Sequence, residues 1–365
     1  MQARLAIAGL LALLTALPAG AEDKGPAAGQ GKLPAIPFLE AWMASPHANV
    51  KSESFTHWDK DGSVPVRCAK CHSGPGFLDF LGADGSSAGK VDRPAPIRSV
   101  IDCVTCHNAK TVRLDSVMFP SGLTLGNLGS SARCMVCHQG RQSTVSVNRS
   151  TANLAPDTVS TKLRFINVHY RAAAATLWGA AAKGGYEYAG KPYHGRFRHT
   201  PTLGTCTQCH DPHRLSVNAE GCASCHAGQD LRAIRMSPID FDGDGDVTEG
   251  IAAEIAGLHQ ALGRAIAAYG SQVAKSPILY DSHHHPYFFA DTNANGRVDP
   301  GEAVRAKAYK NWTPRLVKAA YNYQFVAKDP GAYAHNPRYA LQLLYDSLES
   351  LAAKVRVDLA GIKRP

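Results

Sequence analysis

The sequence predicts a mainly α-helical chain with much irregular coil and very little sheet, and three observations lead there. Five copies of Cys-x-x-Cys-His lie between residues 68 and 226 of the 365. The stretch that holds them is poor in long apolar periodic runs, so side chains alone would struggle to close a core there. Beyond residue 248 apolar residues recur at helical spacing, which predicts a second, more regular helical region.

The five motifs are CAKCH at 68–72, CVTCH at 103–107, CMVCH at 134–138, CTQCH at 206–210 and CASCH at 222–226. They use all ten cysteines: Cys68, Cys71, Cys103, Cys106, Cys134, Cys137, Cys206, Cys209, Cys222 and Cys225. Chance predicts about 0.01 such motifs in a chain of this composition, so five are a design. The pattern attaches c-type haem: two thiols add across the porphyrin vinyl groups, and the following histidine ligates iron from the proximal side. The proximal ligands are then His72, His107, His138, His210 and His226, and the expected cofactor is five haem c groups. Structural zinc gives no reason for a histidine after every second cysteine. Disulfides between cysteines three residues apart would close loops too small to add much stability. Porphyrin rings supply the apolar area that the side chains lack, so the fold is expected to wrap around five covalently bound haems.

Residues 1–21 have the pattern of a secretory signal, with Arg4, an apolar run and a small-residue cleavage site. Residues 22–37 are expected to form a loose Gly, Ala and Pro-rich leader. Export suits the motifs, because bacterial c-type haem is attached outside the cytoplasm; the expected location is the periplasm or the cell exterior. No later stretch is long and uncharged enough to span a bilayer. The net charge of +9 falls to +8 without Arg4. Five ferric haems with ionised propionates lower it to roughly +3. Nucleic-acid binding is therefore not expected, and many Lys and Arg residues are assigned to propionates.

The pentahaem module is expected over residues 38–230, with first cysteines 35, 31, 72 and 16 residues apart, which is no solenoid period. Its longest gap contains an expected helix at 167–179 followed by a Gly/Tyr-rich loop. Residues 231–365 form the expected helical region, with helices near 248–269, 314–326 and 337–351. On the first of these Ile251, Ile255, Leu258, Leu262 and Ile266 share one face.

Eleven histidines lie outside the motifs. An electron carrier would close the sixth iron position with a second histidine, so five of the eleven are expected as distal ligands. His213, three residues after His210, is the first candidate. His199 and His169 follow from their aromatic and basic surroundings, and His47 and His57 from their position before the first motif. His259, His283 and His335 are reserves, with one of the three adjacent histidines 283–285 a possible ligand beside two exposed ones.

Residues 291–302 fit a twelve-residue calcium loop position by position. Asp291, Asn293 and Asn295 supply oxygens, Gly296 makes the turn, Arg297 offers its carbonyl, Asp299 takes the ninth position and Glu302 the bidentate twelfth. A second loop begins in the same way with Asp240, Asp242, Asp244 and Asp246, but Ile251 stands at its twelfth position. Glu249 or Glu254 would have to complete that shell. One calcium ion is thus expected and a second is possible, both as EF-hand-like structural staples.

The motifs, together with CHDPH at 209–213, NVHYRAAAATLWG followed by GGYEYAGKPYHGRFRH, the paired Asp-rich loops and a YNYQFVAKDPGAYAHNPRYALQLLYDSL ending, resemble periplasmic and extracellular multihaem c-type cytochromes. What the resemblance implies is bis-histidine haems in a chain that relays electrons. Pentahaem nitrite reductases share the haem count and calcium use, but their catalytic motif ends in lysine; here all five end in histidine. The expected function is electron transfer between respiratory partners, other cytochromes or a membrane quinol oxidoreductase, without substrate chemistry of its own. Two alternatives stand beside it. One is an oxidoreductase with one open haem that reduces a small nitrogen or sulfur oxyanion or peroxide. The other is a subunit of an extracellular cytochrome filament. The oligomeric state is not legible.

Overall fold

A computed structural model describes residues 35–365 except Pro201 and Gln229. The expected signal sequence at 1–21 and nearly all of the expected leader lie outside the described residues. Residues 40–365 form one compact unit. Within that unit the larger of two apolar clusters among the described residues draws side chains from the motif-bearing stretch, such as Phe77, Met135 and Val168, and from the C-terminal helices, while Val64, Ala69 and Ala95 form a small one beside the first motif.

Through the motif region the helices are short, and several are capped by a side chain where they start. Val66–His72 carries the first motif, Cys103–Cys106 the second, Ala132–Met135 begins the third, Cys206–Cys209 carries the fourth and Ala219–His226 the fifth. A single helical turn suits the motif, since residues three apart share a helix face and both thiols point the same way. The Asp102 carboxylate accepts from the Thr105 N–H at 3.0 Å and from its hydroxyl at 2.7 Å, which anchors the second motif. Asn218 caps the fifth motif by accepting from the Gly221 N–H at 3.1 Å. Gly74–Phe80 packs directly on the first motif helix, and a Cβ at Gly76 would sit 2.4 Å from the Ala69 carbonyl oxygen, so only glycine permits that approach.

The helix expected over 167–179 is shorter, Ala173–Trp178. His169 and Arg171 occupy the left-handed region, at φ 75° and 56°, and that backbone cannot belong to a right-handed helix. Sheet is confined, among the described residues, to three two-stranded ladders, as the sequence predicts. The longest pairs Ile278–Tyr280 with Phe288–Ala290 and leads straight into Asp291.

The three expected C-terminal helices run Ile251–Gln272, Pro314–Ala327 and Pro337–Ala352 and pack on one another. The predicted face of the first is buried at Ile255, Leu258, Leu262 and Ile266. Proline at the first turn and an N-cap start the other two: Thr313 accepts from the Leu316 N–H at 3.2 Å, and Asn336 accepts from the Tyr339 N–H at 3.1 Å. Their packing is dominated by Trp312, Tyr321, Phe325 and Tyr339, each almost fully buried. The Gly/Tyr-rich loop is tied to these helices by buried polar contacts. Asn322 accepts from the Tyr186 N–H at 2.7 Å and donates to its carbonyl at 2.9 Å, while the Tyr339 hydroxyl accepts from the Gly185 N–H at 3.1 Å. Such satisfied buried groups fix the register of the loop on the helices. No described helix is long and apolar enough to cross a membrane.

Candidate haem centre and calcium loops

Each of the five motif histidines faces a second histidine from elsewhere in the chain. His72 meets His169 with ring centroids 5.7 Å apart and Nε2 atoms 3.4 Å apart. His107 stacks on His213 at 6.1 Å and His138 on His47 at 6.4 Å. His210 meets His335 at 6.3 Å, and His226 meets His199 at 5.8 Å. Two imidazoles sharing one metal ion through Nε2 have centroids about 6.3 Å apart, from two nitrogen–metal bonds of about 2 Å each. All five pairs lie near that spacing, so the residues fit an iron between the rings.

The second ring nitrogen is held in three of the five pairs. His72 Nδ1 donates to the Ser54 carbonyl at 2.9 Å and His138 Nδ1 to the Arg171 carbonyl at 3.2 Å. His335 Nδ1 lies 2.9 Å from both oxygens of Asp329. A proton on Nδ1 leaves the Nε2 lone pair for metal, and the partner on Nδ1 fixes the ring and raises its basicity. Burial depresses the imidazoles of His72, His138 and His210, and brings His47 and His169 down to about 4, with the neighbouring histidine adding to the effect in the last two. Neutral rings are the form that ligates. His335 is the exception: burial pulls its pKa down, but the buried Asp329 carboxylate outweighs it and holds it above the ordinary value.

Of the five expected distal ligands, the structure brings His47, His169, His199 and His213 to motif histidines. His57 is not brought to one. It lies exposed on the rim, 3.5 Å from Glu53, with its ring edge against Trp58, and Trp58 stands between it and His72. His335 stands in its place. That histidine follows His210 by 125 positions in sequence, and the acid before it, Asp329, has a counterpart before His57 in Glu53, so no local signal marks it out. Among the other histidines, His194 bonds Asn336 at 3.1 Å, and His259 stacks on Tyr323 at 3.8 Å while bonding its carbonyl at 2.9 Å. Both serve packing. The run His283 to His285 forms no such pair; His284 bonds Asp281. All ten cysteines are free of disulfides, as covalent attachment requires.

In the 291–302 loop the Gly296 N–H donates to Asp291 Oδ2 at 2.8 Å, and Gly296 has φ 74°. Asp291 is buried, and its Oδ1 has no hydrogen-bond partner. Asn293 and Asn295 both donate to Asp299 at 2.7 Å, and Glu302 closes the loop by accepting from the N–H and hydroxyl of Thr292 at 2.9 and 2.6 Å. Arg297 donates its N–H to Asn295 Oδ1 at 2.8 Å. In the other loop, carboxylate oxygens of Asp240, Asp242 and Asp244 lie within 4.8 Å of one another, as do those of Asp242, Glu249 and Glu254. Asp246 turns away to hold Thr248 at 2.7 Å. Burial and crowding by like charges push Asp242 up to about 6 and Glu249 up to about 7. Glu249 Oε1 is buried without a partner. Glu254 is already committed, to Arg235 at 2.5 Å and to the N–H groups of Phe241 and Asp242 at 2.8 Å each. Glu249, rather than Glu254, is the acid with a coordinating oxygen to spare.

Paired histidines over covalent attachment motifs define a multihaem c-type cytochrome, and the chain belongs to that family. Residues 53–139, which hold the first three motifs, match the family of cytochrome c7 and related cytochrome c. Covalently bound haem c follows from that membership. The chain is 29% identical over 368 residues to the C-type polyheme cytochrome OmcB of Geobacter sulfurreducens, covering 81% of this chain and 45% of the relative. It is 30% identical over 345 residues to the C-type polyheme cytochrome OmcC of the same organism, covering 81% and 38%. The chain therefore spans less than half the length of these curated relatives. No solved structure matches it.

Proposed function

We propose that this protein relays electrons between redox partners, with five haem c irons each held by two histidines. Haem c, when bound, supplies the one-electron chemistry of its iron. The observation that carries the reading is the pairing of every motif histidine with a second histidine at a spacing of 5.7 to 6.4 Å. Two strong-field nitrogens on each iron leave no position for a substrate, and an unchanged ligand set in both oxidation states keeps reorganisation small. The partners proposed are other cytochromes or a membrane quinol oxidoreductase, and the location is the periplasm or the cell exterior.

Visible and EPR spectra of the purified protein, with and without carbon monoxide, test this directly. All the haem is expected to be low-spin, five haems per chain by mass, and none takes up carbon monoxide. A high-spin haem that binds it overturns the reading in favour of an oxidoreductase with an open site.

We further propose calcium in both Asp-rich loops, supported by the unpartnered buried oxygens of Asp291 and Glu249. Binding to the folded state alone adds about 2.7 kcal/mol when free calcium exceeds its dissociation constant a hundredfold. Chelation is accordingly expected to lower the thermal midpoint, and calcium to restore it, with two ions found by elemental analysis. A midpoint unmoved by chelator and calcium removes both sites.

A further inference from the structure

The third motif and the residues that open it reach three other motifs. The Cys137 thiol donates to the carbonyl of Lys70, inside the first motif, at 3.6 Å. The Cys206 N–H is held by the hydroxyl of Ser131, just ahead of the third motif, at 3.0 Å. Arg133, also inside the 132–135 helix, reaches the carbonyl of Cys106 in the second motif at 3.3 Å. The fourth and fifth motifs are joined through Asn218, whose N–H donates to the Cys209 carbonyl at 2.8 Å and whose carbonyl accepts from the Cys222 thiol at 3.3 Å. The first and second motifs meet differently, through the Gly74 N–H on the Val100 carbonyl at 3.2 Å.

Burial follows the same order. Ala132, Met135 and Val136 of the third motif's helix are at most 2% exposed. Cys103 of the second motif and Cys225 of the fifth are exposed, and the other eight cysteines are not.

We propose that the third motif is the junction of a branched array, in which attachment sites run first, third, fourth, fifth in space, the second branches from the third, and the second and fifth are the ends open to redox partners. This deepens the electron-relay reading and rests on it. The attachment thiols sit on the porphyrin edge, so motifs that touch through their own side chains and backbone bring their porphyrin edges near one another. Chain order and spatial order therefore differ: the second motif, a middle member in sequence, is a branch in space.

The test uses the haem-loaded full chain. Two variants each lose one covalent attachment, Cys103→Ala with Cys106→Ala and Cys134→Ala with Cys137→Ala, and mass spectrometry counts the haems. The readout is the exciton couplet in Soret circular dichroism, which reports neighbouring haem pairs. The third-motif variant is expected to lose most of the couplet and the second-motif variant to keep most of it. Equal losses, or a larger loss from the second motif, overturn the branched order. Should the third-motif variant not accumulate, iron positions in a crystal structure of the intact holoprotein decide: the iron nearest the first motif's is expected to be the third motif's, and finding the second motif's there refutes the proposal. Spin state and carbon monoxide binding fail separately, so loss of the relay reading is distinguishable from loss of the order.

Discussion

Replacing His335 by Met is expected to raise the midpoint potential of one haem by on the order of 100 mV, because a thioether opposite histidine favours the ferrous state over a second imidazole. The remaining haems should titrate as before. The parallel variant His57→Met should leave the whole titration unchanged, since His57 lies exposed beside Glu53 and Trp58. Spectroelectrochemical titration of both variants measures this. A shift with His57→Met and none with His335→Met would reverse the ligand assignment. Asp329→Asn probes the same site more gently. Its carboxylate holds His335 Nδ1 at 2.9 Å, and removing that charge makes the imidazole a weaker donor, so the same haem should move upward by less.

Arg235→Met should destabilise the helical region by about 3–5 kcal/mol, the cost of leaving a buried carboxylate without its cation. Glu254 is fully buried, and Arg235 is the guanidinium that pairs with it, 2.5 Å away. Two backbone N–H groups on Glu254 remain in the variant and do not replace a charge. The double variant Arg235→Met with Glu254→Gln removes both charges and should recover a large part of the loss. Chemical denaturation of the three proteins at fixed calcium measures it. A single variant as stable as the parent would mean that the pair contributes nothing to the 240–254 corner.

The helical class, the scarcity of sheet and the three C-terminal helices were readable from the spacing of apolar residues, whereas the caps at Thr313 and Asn336 came to light only in the structure. The shortened 173–178 helix was not, because the left-handed backbone at His169 and Arg171 is imposed by what those residues reach: His169 turns to His72, and the Arg171 carbonyl to His138. Local propensity for Ala-rich helix loses to those tertiary demands. His335 was missed for a related reason. Nothing within its own segment distinguishes it from His57, whereas the fold brings it, with the buried acid Asp329, to a motif histidine 125 positions away. Glu249 and Glu254 could not be ranked from spacing, because the choice depends on Arg235 having already engaged one of them.

By itself the sequence determined the attachment chemistry, since two thiols and a histidine at fixed spacing form their site within one helical turn and need no distant partner. It also determined the regular helices, which follow from local periodicity. Only the tertiary structure decided which histidines face one another and in what order the motifs meet. Those pairings join residues from 97 to 125 positions beyond the motif histidine, or 27 and 91 positions before it, and no local pattern encodes which of eleven imidazoles the folded chain will carry to a given ring.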